Sequence, residues 1–493
     1  MTTLTHASMR RLSKSRFTAG LQCHKQLWWK VHEPDAAELV TDPATEFIMN
    51  QGREVGELAR SYAPGGELID FPHDQYRKKV EATADALARG VERIYEAAFF
   101  AEGVFVAVDI LEREGPRFTV VEVKSSTKVK EEHLADVAIQ TWVARRAGVN
   151  VTRAEVMHLN SECVYPDLSK LFVRQDVTPL VESYLLDVPG KVAAQLAMLA
   201  GPLPDVPIGP HCSSPRECPF IERCWKDVPE HHVTTLHGIG RRAWGLLADG
   251  CETILDLPAS FRLSEIRARQ VRAVKQDEIV VEPELGAALA GLARPIAYLD
   301  FETIGPAVPV WAGCRPYHGV AVQFSCHRED GAGRMTHSEW LARGPEDPRP
   351  ALAGALLEAC RGARTVLMYT SFERRQIRGL ADAVPTLRDE LLALDARLVD
   401  LAQIVRGHVY APAFGGSFSL KDVLPALVPE LTYDDLAVND GGLASALLNR
   451  MLLRGDPATP QERANLRADL LAYCKMDTWA MVTLLKRLRE LAE

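Results

Sequence analysis

The chain has 493 residues, 47% hydrophobic and 25% charged, with a net charge of −9 at pH 7. This usage is ordinary for a folded, soluble protein of two or three domains and excludes a disordered chain. Ten cysteines are too few for a disulfide scaffold, no apolar run reaches the ~18 residues that span a bilayer, and the overall acidity leaves any polyanionic partner to local basic patches. A reduced, cytoplasmic setting with no membrane partner is the expectation.

The first 32 residues carry Arg10, Arg11, Lys14, Arg16, Lys25 and Lys30 and no acid. With no secretory apolar core after them, they read as a basic edge of the fold rather than a leader. Cys23 follows in "FTAGLQCHKQLWWK", flanked by basic and aromatic residues. Further on, "VFVAVDILEREGPRFTVVEVKSSTK" reads as two alternating apolar strands joined by a Gly-Pro turn, a hairpin. Period-two geometry puts Glu122 and Lys124 on one face of the second strand, with Asp109 ending the first strand close by. Two carboxylates hold a hard divalent cation, and a lysine beside them can orient a water or stabilise developing charge on a phosphate. That is phosphodiester hydrolysis. "ADVAIQTWVA" reads as the next helix.

The stretch "HCSSPRECPFIERCW" then brings Cys212, Cys218 and Cys224 at every sixth residue. Reduced cysteines so spaced point to a soft metal, zinc or an iron–sulfur cluster, but the paired knuckles of zinc sites are missing and three sulfurs do not close a four-coordinate site. Cys23 is the best fourth ligand; the competing reading is that it is a core thiol. If a cluster ties Cys23 to Cys212, the long closed loop stabilises the fold by on the order of 5 kcal/mol.

These features resemble the RecB-like branch of the PD-(D/E)xK nucleases, and within it the CRISPR-associated and AddB-type members with an iron–sulfur cluster. In that group one cysteine precedes the nuclease core and three follow it. The resemblance covers about residues 10 to 226. It implies Asp109 and Glu122 as metal ligands, Lys124 as the catalytic lysine, Gln140 as the glutamine of the last motif, and Cys23, Cys212, Cys218 and Cys224 as ligands of a 4Fe–4S cluster. The chain departs from the family at "QGREVGELA", where Gly56 stands for the usual histidine with Glu57 beside it. It departs again at Ala144, where an aromatic is common and Trp142 is near.

After the Pro/Gly-rich "GPLPDVPIGP" and the cysteine triplet, "HGIGRR" reads as a tight glycine turn opening a helix, able to aim backbone amides and Arg241 and Arg242 at a phosphate. It resembles a helix-hairpin-helix module, against the plainer reading of a turn between packed helices. Arg267, Arg269, Arg272 and Lys275 read as a solvated helix face. "ARPIAYLDFETIGPAVPVW" then starts a new fold: a strand delivering Asp300 and Glu302 on one face, two more strands in "GVAVQFSCH" and "MTHSEWLA", a helix in "DPRPALAGALLEACRGA", and strand into helix in "TVLMYTSFE". Glu373 begins that helix. "LLAYCKMDTWAMVTLL" is a helix with Tyr473 and Asp477 at i and i+4, on one face.

The order of elements resembles the ribonuclease H-like fold, and its acids resemble the DEDD exonucleases whose last motif carries a tyrosine. By that resemblance, over about residues 295 to 490, Asp300 and Glu302 match the first motif, Glu373 stands where the second has aspartate, Asp477 matches the third, and Tyr473 positions the attacking water. "GGSFSLKDVLPAL" resembles the segment before the third motif, and Asp400 is a weaker candidate acid. The sequence therefore reads as an α/β multidomain protein of a bacterial family fusing these two domains. Residues 1–226 form the PD-(D/E)xK restriction-endonuclease-like domain, 227–290 a small helical linker module and 291–493 the ribonuclease H-like domain. The expected activity is Mg²⁺- or Mn²⁺-dependent DNA hydrolysis, with 3′ to 5′ trimming by the C-terminal site, in repair, recombination or defence. The alternatives are a nucleic-acid-binding subunit whose N-terminal site does not cleave, an RNA exonuclease, or a zinc-stapled enzyme unrelated to nucleic acid.

Overall fold

The computed structural model describes residues 11–72, 74–457 and 459–493; Arg10 of the basic N-terminal run lies outside them. The protein is mixed α/β and divides into two compact units, Met1–Asp227 with Ala307–Tyr317, and Val228–Pro306 with His318–Glu493. Residues 228–290, read above as part of a linker module, fall in the second unit. Among the described residues no helix is long and apolar enough to cross a membrane.

The first unit is organised on one sheet of β1 (Leu12–Ser13), β2 (Glu67–Leu68), β3 (Arg93–Ala101), β4 (Val104–Glu114), β5 (Arg117–Lys124), β6 (Val151–Leu159) and β7 (Phe172–Asp176). The order is β2-β3-β4-β5-β6-β7, with β1 parallel to β4. Four helices matter to the sites: α1 (Lys14–Gln22), α2 (His24–His32), α3 (Pro43–Tyr62) and α4 (Glu131–Arg146). Strands β3, β4 and β5 are antiparallel, and α4 crosses from β5 to β6, which pair in parallel. Acids in the first turn of α4 and arginines in its last complement the helix dipole, and its middle is buried on nearly every side.

The hairpin differs from expectation in one respect. Asp109 does not end its strand: β4 continues to Glu114 because Ile110 and Leu111 are buried and pair with Val121 and Val120. It is the ladder to β5 that stops at Ile110, and the Asp109 carboxylate then accepts the Val123 amide at 2.6 Å. On β3, Glu96 stands opposite Asp109 between the Tyr95–Ile110 and Ala97–Val108 pairs, with no shift of register and with φ of 57°, a left-handed backbone that few non-glycine residues adopt.

The second unit opens with a small core of Val233, Leu236, Ile239, Ala243, Ile254 and Val274. The turn in "HGIGRR" has Gly238 and Gly240 at φ of 62° and 55°, where glycine is unstrained. Helix α5 (Glu265–Gln276) corrects the solvated-face reading. Arg269 is 4% exposed and holds Glu282 and the carbonyls of Arg406 and Gly407, while Arg267 caps the carbonyls of His237 and Gly238. These guanidiniums carry five donors each and satisfy carbonyls left open in a loop, at His237 and Gly238, and in the last turn of the helix Leu401–His408, at Arg406 and Gly407.

A two-stranded pair, β8 (Val280–Val281) with β14 (Val409–Tyr410), flanks the main sheet of β9 (Ile296–Ile304), β10 (Val320–Glu329), β11 (Met335–Leu341), β12 (Thr365–Met368) and β13 (Leu398–Asp400). Its order is β11-β10-β9-β12-β13, antiparallel on the β10 side of β9 and parallel on the β12 side. Period-two alternation splits β9 between two cores. Ala297, Leu299 and Phe301 pack against Leu352, Ile377 and Leu380, among them α6 (Phe372–Ala383); Ile296 and Tyr298 share a core with Met481, Leu484 and Leu488 of α7 (Pro460–Leu491). Asp300 and Glu302 continue the second series and so face α7.

Candidate functional sites

In the second unit, β9 delivers Asp300 and Glu302, and α7 delivers Asp477. One carboxylate oxygen of each lies within 4.8 Å of those of the other two. Tyr473, one turn before Asp477, is 4% exposed; Glu373, in the first turn of α6, is 3% exposed with Oε2 lacking a hydrogen-bond partner. Asp400 takes a different job. It caps the following helix, accepting from the amides of Thr370 and Gln403.

Burial, then the neighbouring acids, hold Asp300 and Glu302 well above the usual carboxylate range. Burial also pushes Asp477 up to about 6 and Glu373 up to about 8. Acids so placed keep protons unless a cation replaces them. Three features here were not foreseen. The Tyr433 hydroxyl donates to Asp477 Oδ1 at 2.7 Å, and the Cys474 thiol lies 3.3 Å from Asp300 Oδ2. Lys421 stands 5.7 Å from the Tyr473 ring centre and favours the ionised forms of Glu302 and Asp477. Lys421 lies within the quoted "GGSFSLKDVLPAL"; Tyr433 stands in "ELTYDDL", which has no periodicity to mark it.

In the first unit Asp109, Glu122, Lys124 and Gln140 do meet, and Lys14 joins them. Glu122 is 1% exposed. Its Oε1 receives Lys14 Nζ at 2.7 Å and Lys124 Nζ at 2.8 Å, and its Oε2 receives the Gln140 amide. Lys124 also pairs with Asp136. Burial would raise Glu122, but Lys124 and Lys14 outweigh it and hold the carboxyl below its usual range, while burial and the Glu122 charge push Asp109 up to about 7. Lys14 was read as part of a basic edge; it reaches the interior because β1 pairs with β4 and starts α1 beside Asp109 and Glu122. A cleft of ≈ 580 Å³ contains Asp109, Glu122, Glu57 and Glu96 in its lining. Gly56, at the position of the family's histidine, lines the same cleft, and a Cβ there would meet nothing within 4 Å.

Cys23, Cys212, Cys218 and Cys224 are free thiols lining one small cavity with Trp29 and Phe220. Cys23 separates α1 from α2, and the Cys218 amide donates to the Cys212 carbonyl at 2.8 Å. Burial raises the thiols of Cys218 and Cys224, and the other sulfurs add to the shift in both. Among the described residues the Asp300 group alone has three or more ligating atoms all within 4.8 Å of one another.

A family model described as "Domain of unknown function (DUF2779)" matches residues 297–419. The stretch similar to that family includes Asp300, Glu302, Glu373 and Asp400 and stops before Tyr473 and Asp477. No curated protein matches the chain.

Proposed function

We propose that the protein is a metal-dependent nuclease that trims DNA from the 3′ end at the Asp300–Glu302–Asp477 site. The observation that carries this is the convergence of three acids, two from the central strand of a mixed sheet and one from a helix packed on it, with Tyr473 one turn away. Central-strand acids are what the ribonuclease H-like reading expects. The donors fit Mg²⁺ or Mn²⁺: hard carboxylate oxygens, protons held unusually tightly, and a fourth buried carboxyl, Glu373, with an orphaned oxygen. Bound there, divalent cations would polarise the phosphate and make a water acidic. The chain's own part is to fix Asp300, Glu302 and Asp477 as ligands, to hold Asp477 ionised through Tyr433, and to orient the water through the Tyr473 hydroxyl.

For the first unit, the antiparallel β3–β4–β5 run, the α4 crossover and parallel β6 support the PD-(D/E)xK restriction-endonuclease-like reading, and the four cysteines lining one cavity support a metal staple, read as 4Fe–4S from the resemblance. A second reading has its own support. Because Glu122 is already neutralised by Lys14, Lys124 and Gln140, this unit is a nucleic-acid-binding platform unless substrate or metal displaces those donors.

The deciding experiment is degradation of end-labelled single-stranded and duplex DNA and RNA with Mg²⁺ or Mn²⁺, comparing Asp300→Asn with Asp109→Ala. Trimming of 3′ ends that survives Asp109→Ala and is lost in Asp300→Asn supports the proposal. Trimming with the reverse dependence assigns cleavage to the first unit, and preference for RNA changes the substrate class.

A further inference from the structure

A second cleft in the first unit, of ≈ 360 Å³, includes Lys14, Lys30, Lys124 and Arg216 in its lining. Lys14 and Lys124 also line the cleft holding Asp109 and Glu122, so the two clefts adjoin at this lysine pair. One wall is the loop between Cys212 and Cys218, pinned to α1 by the Gln22 amide, which donates to the carbonyls of His211 and Arg216 at 2.7 Å each. The wall is therefore set before any ligand arrives.

The charges on it are arranged unusually. Lys14 and Lys124 are committed to Glu122 and Asp136. Lys30 is half-buried and makes no ion pair among the described residues; burial, and after it the Arg216 guanidinium, make its proton easier to lose, against the pull of Cys218. Arg216 is 78% exposed and reaches Glu132 at 3.4 Å. Two cations held near each other at a cleft, one without an acid, are stabilised by an anion placed between them. Neither cleft is lined by an aromatic ring, so nothing offers bases a stacking platform; the four cations of the second cleft, set against Glu132, Asp136 and Glu217 in the same lining, are the groups that grip backbone. Volumes of this size suit part of one strand rather than the width of a duplex.

We propose that this cleft binds the phosphodiester backbone of a single nucleic-acid strand, with Lys30 and Arg216 on a phosphate next to the Asp109–Glu122 cleft. The assignment rests on the nucleic-acid reading above. The test is anisotropy of labelled oligo-dT and oligo-dA on the full chain in EDTA, where no metal supports cleavage, across about 50 to 200 mM salt. Lys30→Ala/Arg216→Ala should weaken binding about 10-fold or more and lower the salt slope by about 0.7, the value for one lost single-strand phosphate contact. Arg216→Glu, at a side chain too exposed to unseat the fold, should weaken it further than Arg216→Ala, and the losses should be equal on both oligonucleotides. Unchanged affinity and slope in all three variants overturn the cleft assignment alone, and a loss confined to one base overturns the backbone contact. If the wild type binds neither DNA nor RNA, the nucleic-acid reading itself falls.

Discussion

In the first unit the buried Glu122 carboxylate is met on both oxygens by Lys14, Lys124 and Gln140, whereas in the second Asp300, Glu302 and Asp477 face one another, with Lys421 the cation that eases the charge on Glu302 and Asp477. The same residue type is thus stabilised in opposite ways. Glu122 is ionised and internally compensated, so a metal has to compete with two ammonium groups for it. The second site stores uncompensated acidity, which a divalent cation relieves and a monovalent one does not. Sequence motifs treat both as acid pairs on a strand; the surrounding cations separate them.

The largest test of this contrast is at Asp477. Asp477→Asn should cost about 10²-fold or more in 3′ trimming, the scale typical of losing an electrostatic stabiliser, and should abolish high-affinity Mn²⁺ binding measured by calorimetry. It should not lower the melting temperature of metal-free protein, because it removes a buried carboxyl whose ionised form burial disfavours. A variant that melts much lower while still binding Mn²⁺ would break the comparison.

Next in size is the proposed staple of Cys23, Cys212, Cys218 and Cys224 in the first unit. Anaerobically purified protein should be brown, with broad absorption near ~400 nm from thiolate-bound iron. Cys218→Ser should bleach it and destabilise the first unit by up to about 5 kcal/mol, by loss of the long-loop crosslink. Trimming by the second unit should persist. Colourless protein with stoichiometric zinc would contradict the iron–sulfur assignment.

A third effect is on pH dependence. Asp477, at about 6, and Glu373, at about 8, both bind protons more tightly than the value of about 4 expected unfolded. The stabilisation is complete at pH values below the unfolded value and is lost as pH rises through the folded ones. Metal-free protein should lose roughly 2–3 kcal/mol in the second unit between pH 5 and 8, seen as a falling melting temperature in EDTA, and Mg²⁺ should restore it at pH 8. Glu122 behaves oppositely: its depressed pKa gives stability above the unfolded carboxylate value that is lost on acidification. Lys14→Met sharpens the contrast by making the first site resemble the second. It should cost roughly 1–3 kcal/mol, since Lys14 is only partly buried, and should tighten Mn²⁺ binding at the first site in an Asp300→Asn/Asp477→Asn background.

Much of this architecture was legible from period and spacing. The β4–β5 hairpin, the α4 and α7 helices and the split of β9 into two faces follow from alternation and 3.6-residue periodicity, so the acids on them could be placed in advance. What failed to read out has physical causes. Lys14 is distant in sequence from Glu122 and arrives through the two-residue pairing of β1 with β4, too short to leave a pattern. Arg269 sits on a helix whose charged face looks solvated but packs against the last-turn carbonyls of a helix that comes more than a hundred residues later. Glu96 takes a left-handed backbone inside β3, a conformation that strand alternation in the sequence does not announce.

The smallest effect, and the most specific, is expected at Tyr433. Its hydroxyl donates to Asp477 Oδ1 at 2.7 Å, a hydrogen bond to a charged group that favours the carboxylate form by about 1–2 kcal/mol. Tyr433→Phe keeps the ring and removes that bond, so Asp477 should protonate more readily and the Mn²⁺ concentration for half-maximal trimming at pH 7 should rise about 2- to 4-fold, with saturated turnover near wild type. The defect should shrink as pH rises to about 8.5, where Asp477 is ionised with or without its partner. Tyr473→Phe should give a different signature, lower turnover even at saturating metal, because its hydroxyl acts on the water. If Tyr433→Phe lowers saturated turnover and leaves the metal requirement and its pH dependence unchanged, Tyr433 serves the water and not the metal ligand.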